Sequence, residues 1–161
     1  MAREPAVLTS QDYFALGEFR FQIRHFLRFS ELAARQEGLE PQQHQLLLAL
    51  RSLDESDGPT IRQLADHLLI RHHSAVGLID RLAERGLVER VRGASDRREV
   101  RVQLTARGEE KLRHLSVIHR AELRNSGPRL VEALGKLLKN LPAEATARKK
   151  EEDVPATQER R

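Results

Sequence analysis

Apolar residues recur at helical spacing along most of the 161-residue chain, and in one short stretch the period drops to two. No proline occurs from Gln11 to about Gln36. Phe19, Ile23, Phe26 and Ala33 mark one face there, so the spacing predicts a long amphipathic helix closed by Gly38. Pro41 suits the first turn of a second helix that reaches about Asp54, with Leu46, Leu47, Leu50 and Leu53 as its buried stripe. Ser56-Asp57-Gly58-Pro59 is a turn cluster. Thr60 then caps a third helix carrying Ile61, Leu64, Ala65 and Leu68 on one side. After a break at Leu69-Ile70-Arg71, a fourth helix runs from about His72 to Arg85, with Ala75, Leu78, Ile79 and Leu82 facing inward and Gly86 at its end. Two short helices joined in this way form a helix-turn-helix pattern.

Beyond Gly86 the segment from Leu87 to Val91 reads as a strand. Val100, Val102 and Leu104 alternate with Arg101 and Gln103 as a half-buried second strand. The loop between them has arginine at both ends, Arg92 and Arg98, so a basic hairpin follows the helix-turn-helix: a winged helix. Thr105 caps another helix, with Glu109 and Glu110 near its positive end. Asn125-Ser126-Gly127-Pro128 is expected to stop it at about Arg124. A last helix, Arg129–Leu141, then presents Leu130, Leu134, Leu137, Leu138 and Leu141. The expected fold is mostly α with a small β-hairpin, a winged helix-turn-helix flanked by N- and C-terminal helices. Residues 1–10 read as a loose arm and 11–57 as the N-terminal helices. The winged helix occupies 58–104 and the C-terminal helices 105–141. Residues 142–161, with equal numbers of acids and bases and no apolar period, read as a disordered tail.

Composition narrows the functions open to such a fold. No apolar run approaches the roughly 18 residues of a transmembrane helix, and Met1–Ser10 has no signal-peptide stretch, so a cytoplasmic protein with no membrane partner is expected. Absence of cysteine excludes disulfides, thiol chemistry and Cys-based zinc sites. All six aromatic residues lie between Tyr13 and Phe29, leaving the rest of the chain without platforms for stacking single-stranded bases. The formal net charge of +4 comes entirely from Arg62–Arg113, which has 12 Lys/Arg and 8 Asp/Glu. Positive charge concentrated on a winged helix points to duplex DNA, where phosphate neutralisation supplies the sequence-independent affinity.

The fourth helix is the candidate for the major groove. Arg71, His72, His73 and Ser74 near its N-terminus can reach base edges. Arg81 and Arg85 suit phosphates or intramolecular pairs, Arg81 with Asp80, Glu84 or a neighbouring strand. The hairpin tip is the candidate for the minor groove, which favours arginine where it is narrow. Asp96 can hold the Arg98 guanidinium through a charge-assisted fork, whereas Arg97 reads equally as a probe or a turn residue. Other chemistry fits poorly. Ser74, His72 and Asp80 are hydrolase-triad types, but spacings of two and six on one helix do not bring them together. The chain has seven histidines, but His114 and His119 are five apart and miss the i, i+4 face; no metal and no cofactor are expected, and a metal-responsive regulator is the weaker alternative. A winged helix that binds protein and not DNA is the other.

The sequence resembles the MarR-type bacterial transcriptional regulators. The likeness lies in Leu64-Ala65-Asp66-His67-Leu68 and in Leu78-Ile79-Asp80-Arg81-Leu82-Ala83-Glu84-Arg85-Gly86-Leu87-Val88-Glu89-Arg90. It continues in Asp96-Arg97-Arg98 and in Val102-Gln103-Leu104-Thr105-Ala106-Arg107-Gly108. The wing Asp-x-Arg followed by Leu-Thr-x-x-Gly is the more specific half. The resemblance covers roughly residues 10–141. It implies a homodimer, paired through the terminal helices, that reads a pseudo-palindromic operator in double-stranded DNA. It also implies a repressor released when a small aromatic or anionic effector binds between the two regions. Phe19, Ile23, Phe26 and Leu47 would then line a pocket, with Arg20, Arg24 and Arg28 drawing an anion; dimer core and solvated helix face are the competing roles. The chain departs from the family pattern at Arg71, where a Ser or Asp cap is common, and at Val76-Gly77, where polar base-contacting residues are common. Val76 can meet a thymine methyl, and Gly77 allows only close approach.

Overall fold

The computed structural model describes residues 8–53, 57–93 and 99–139. The elements among them run α1 (Ser10–Gln36), α2 (Pro41–Ser52), α3 (Ile61–His67), α4 (His72–Glu84), β1 (Val88–Arg92), β2 (Val100–Leu104) and α5 (Ala106–Lys139). The fold is the mostly helical winged helix that the periodicity predicts. The expected arm and tail fall mainly outside the described residues, as do Asp54 and the wing tip.

Local chemistry sets most helix ends. Thr9 and Asp12 cap α1 reciprocally: the Asp12 carboxylate accepts from the Thr9 amide at 2.8 Å, and the Thr9 hydroxyl accepts from the Asp12 amide at 3.3 Å. Thr60 and Gln63 do the same for α3. Gly38 and Gly86 both sit in the left-handed region, at φ 73° and 65°. Each lets the following amide reach back over the helix end, Leu39 to the Ala34 carbonyl at 2.9 Å and Leu87 to the Leu82 carbonyl at 3.0 Å. Both leucines are buried, so each turn also pins its helix to the core.

That core gathers the predicted stripes. Leu46, Leu47 and Leu50 of α2, Leu64 of α3, Leu78, Ile79 and Leu82 of α4, Leu87, Val102 of β2, and Leu112 and Leu115 of α5 form one buried cluster. β1 and β2 pair antiparallel from Val88↔Leu104 to Arg92↔Val100. The turn before α3 adds a third edge: the Val102 amide donates to the Pro59 carbonyl at 3.0 Å, and Thr60 bridges Arg101.

The chain divides into two compact units. One comprises Phe26–Asn125; the other contains the described residues up to His25 and from Ser126 onward. In the second unit Ala15 and Ala133 are buried, whereas Phe14 and Val131 are 71% and 70% exposed.

Two features differ from the sequence expectation. The predicted stop at Asn125-Ser126-Gly127-Pro128 does not occur, and α5 continues through Pro128 to Lys139. A proline inside a helix forfeits its own backbone donor and crowds the carbonyl four residues back. Strong helix formers on both sides, Ala121-Glu122-Leu123-Arg124 and Leu130 to Leu134, carry the helix across. The turn between α3 and α4 places Leu69 at φ 55° with its side chain 92% exposed. A left-handed residue other than glycine costs about 1–2 kcal/mol, against roughly 0.5–1 kcal/mol of extra backbone entropy for glycine. Leu69→Gly is therefore expected to stabilise the fold by about 0.5–1 kcal/mol. Thermal melting by circular dichroism checks this; an unchanged or lower Tm contradicts it.

Candidate nucleic-acid interface

α4 is amphipathic in the manner its sequence requires. Ala75, Leu78, Ile79 and Leu82 are buried, whereas Arg71, His72, His73, Ser74 and Arg81 are exposed and Val76 and Gly77 half-buried. Its N-terminus differs from those of α1, α3 and α5. Arg71 occupies the cap position with extended backbone, and no side chain caps the helix. The positive end of the helix dipole is therefore open to an external anion. Among the described residues, the side chains of Arg71, His72, His73, Ser74 and Arg81 make no hydrogen bond or ion pair within the chain.

The structure sorts the arginines of the basic segment. Arg85 reaches across the surface, donating to Gln43 Oε1 at 3.0 Å and to the Gly38 carbonyl at 2.8 Å, so it ties α4 to the turn between α1 and α2. Arg90 pairs with Asp80, which removes one of the partners expected for Arg81. Arg101 donates to the Gly58 carbonyl at 2.7 Å and to Glu99 at 3.0 Å. Arg107 donates to the Arg85 carbonyl at 3.1 Å. These four fasten the unit together. Arg62, Arg71, Arg81 and Arg92 are exposed cations with no such partner among the described residues. Arg62 is not marked by the sequence reading; its place on the exposed side of α3, across from buried Leu64, is the available signal.

The hairpin stem is described up to Gly93, whose amide donates to the Glu99 carbonyl at 3.1 Å. Asp96, Arg97 and Arg98 lie outside the described residues. Of the residues expected to line an effector pocket, Leu47 is sealed in the core and Phe26 is half-buried, edge-on to His119. Phe19 and Ile23 are half-buried and Arg20 and Arg24 exposed in the other unit.

The motif Leu104-Thr105-x-x-Gly108 acquires a physical role. The Thr105 hydroxyl donates to the Gly86 carbonyl at 2.7 Å and accepts from the Gly108 amide at 3.1 Å, so one side chain caps α5 and anchors the end of α4. The Thr105 amide donates to the Leu87 carbonyl at 3.2 Å. A Cβ on Gly108 would overlap that same carbonyl oxygen. The motif thus sets α5 directly against the α4–β1 turn.

No cluster of three or more metal-ligand side chains occurs among the described residues. No described helix is long and apolar enough to cross a membrane.

The sequence model of the MarR family matches residues 37–99, from the end of α1 to the foot of β2. Nothing among curated proteins matches the chain. Among solved structures, AbsC, a MarR family transcriptional regulator from Streptomyces coelicolor, is 22% identical with a TM-score of 0.64, covering 92% of this chain and 93% of its own. A mutant of MepR from S. aureus, bound to an oligodeoxyribonucleotide, is 17% identical with a TM-score of 0.59, covering 90% and 94%. CouR from Rhodococcus jostii, bound to p-coumaroyl-CoA, is 23% identical with a TM-score of 0.50, covering 80% of each chain. With α4, the hairpin and the Thr105–Gly108 anchor in place, residues 37–99 carry a MarR-family match, and the chain has the winged-helix fold of MarR-family transcriptional regulators.

Proposed function

We propose that the protein is a homodimeric, sequence-specific double-stranded DNA-binding regulator of the bacterial cytoplasm, a repressor released by a small aromatic or anionic effector. It is a binding protein and not an enzyme. The observation that carries this reading is the N-terminus of α4. An uncapped helix end displays Arg71, His72, His73 and Ser74 without internal partners, whereas nearby Arg85 and Arg90 are committed to the fold. In this reading His72, His73, Ser74 and Val76 meet base edges, Gly77 allows close approach, Arg71 and Arg81 meet phosphates, and Arg98, oriented by Asp96, enters the minor groove with Arg97 beside it. Apolar side chains left exposed on the terminal helices, Phe14 and Val131 foremost, support a second copy as the dimer partner, met through the helices of 11–57 and 105–141, with 58–104 as the DNA-binding winged helix.

Titration of a selected pseudo-palindromic duplex by fluorescence anisotropy at several salt concentrations tests it. Wild-type protein should bind as a dimer and lose affinity steeply with salt. Arg98→Ala should weaken binding and reduce the salt slope by about one. His72→Ala should cost about 1–3 kcal/mol on the selected site and less on scrambled DNA. Equal affinity for selected and scrambled duplex would defeat sequence-specific recognition, and no binding to either would leave a protein-interaction module in its place.

A further inference from the structure

His44 lies on α2, inside the unit that contains α4, and is only 5% exposed. Its ring stacks on that of His119 from α5, with centroids 4.7 Å apart and planes tilted by 33°. His119 is held on both nitrogens: Nδ1 lies 2.7 Å from the Leu115 carbonyl and Nε2 lies 2.7 Å from the Ser30 hydroxyl of α1. A carbonyl only accepts, so Nδ1 carries a hydrogen. In the neutral ring Nε2 then accepts from Ser30. Phe26 and Phe29 of α1 meet the same ring edge-on, at 6.1 and 5.8 Å. Three helices therefore converge on one imidazole pair.

Around the pair, α1 contributes Phe26, Phe29 and Ser30 and α5 contributes Leu115, none of them charged. Glu37, at the end of α1, is engaged by Lys111 and His114. His119 is the one titratable group whose charge acts on His44, and no carboxylate offsets a proton there. No hydrogen bond reaches the His44 ring among the described residues. We propose that the His44–His119 stack is a proton-operated latch: the neutral rings fasten α2 to α1 and α5, and a proton on His44 releases α2. Burial, and then the nearby His119, push His44 down to about 4. Because α2 packs on α4, release of α2 loosens the support of α4.

Protonation-linked opening is read in the DNA-free protein, so the outcome does not depend on the proposed function. Hydrogen exchange followed by NMR should show α2 amide protection falling roughly 20-fold between pH 7 and pH 5, after correction for intrinsic exchange. His44→Phe, which keeps a ring in the stack but takes no proton, should abolish that change. The His44 ring resonance of the wild-type protein, assigned through its contacts with His119, should titrate well below 6.5. This measurement decides the matter if the variant does not fold. Titration of His44 at its ordinary value, or the same loss of α2 protection in His44→Phe, overturns the proposal.

Discussion

Gly108→Ala is expected to destabilise the protein by about 3 kcal/mol or more, at the upper end of what overpacking costs. The added Cβ would overlap the Leu87 carbonyl oxygen, and Leu104 closes the space beside it. That carbonyl cannot yield alone, because it accepts the Thr105 amide that starts α5. Relief requires the α4–β1 turn and α5 to separate, which breaks the Thr105 hydroxyl bridge to Gly86. Urea denaturation followed by circular dichroism measures the loss, and a loss under 1 kcal/mol would contradict the packing. Gly77 is the control. Its added Cβ would meet only the end of Arg81, at 3.5 Å. Replacing glycine by alanine within a helix then stabilises by roughly 0.5–1 kcal/mol. Because Gly77→Ala leaves the fold intact, any affinity it loses for DNA is lost at the interface.

Acid should unfold the protein through His44 before it does so through the carboxylates. The imidazole is held near 4 when folded, against an ordinary value of 6.5, so between these values the unfolded chain binds the extra proton. Its contribution is complete above about pH 6.5, declines as pH falls, and is exhausted below about pH 4. A gap of that size corresponds to about 3 kcal/mol. Denaturation midpoints at pH 7, 5.5 and 4.5 should therefore fall progressively in wild type and much less in His44→Phe. Residual acid sensitivity in the variant belongs to carboxylates such as Glu37, which its hydrogen bond from Lys111 holds below the ordinary value and which acts at lower pH. Parallel pH profiles in the two proteins would show that His44 is not the responsible group.

Much of the arrangement of α4 and the hairpin was legible from residue order. The inner face of α4 followed from four apolar positions at helical spacing, and the second strand from Val100, Val102 and Leu104. Thr60, Gly38 and Gly86 marked helix ends because capping involves only residues a few places apart. The residues expected on the outer face of α4 are exposed for the same reason, since burying one stripe of a helix turns the other outward.

Other features depended on partners distant in sequence. Arg81 and Arg85 were equivalent in the chain; only the fold brings Gln43 and the Gly38 carbonyl to Arg85 and leaves Arg81 unpaired. The local signal at Pro128 pointed to a break, and helix formers on both sides outweighed it. Residue types and spacing thus determined the elements, their ends and the winged-helix order, because those depend on interactions between near neighbours. Which cations hold the fold together, why Gly108 must lack a side chain, and the stacking of His44 on His119 were decided by tertiary packing alone, since no local rule relates groups 42, 21 or 75 positions apart.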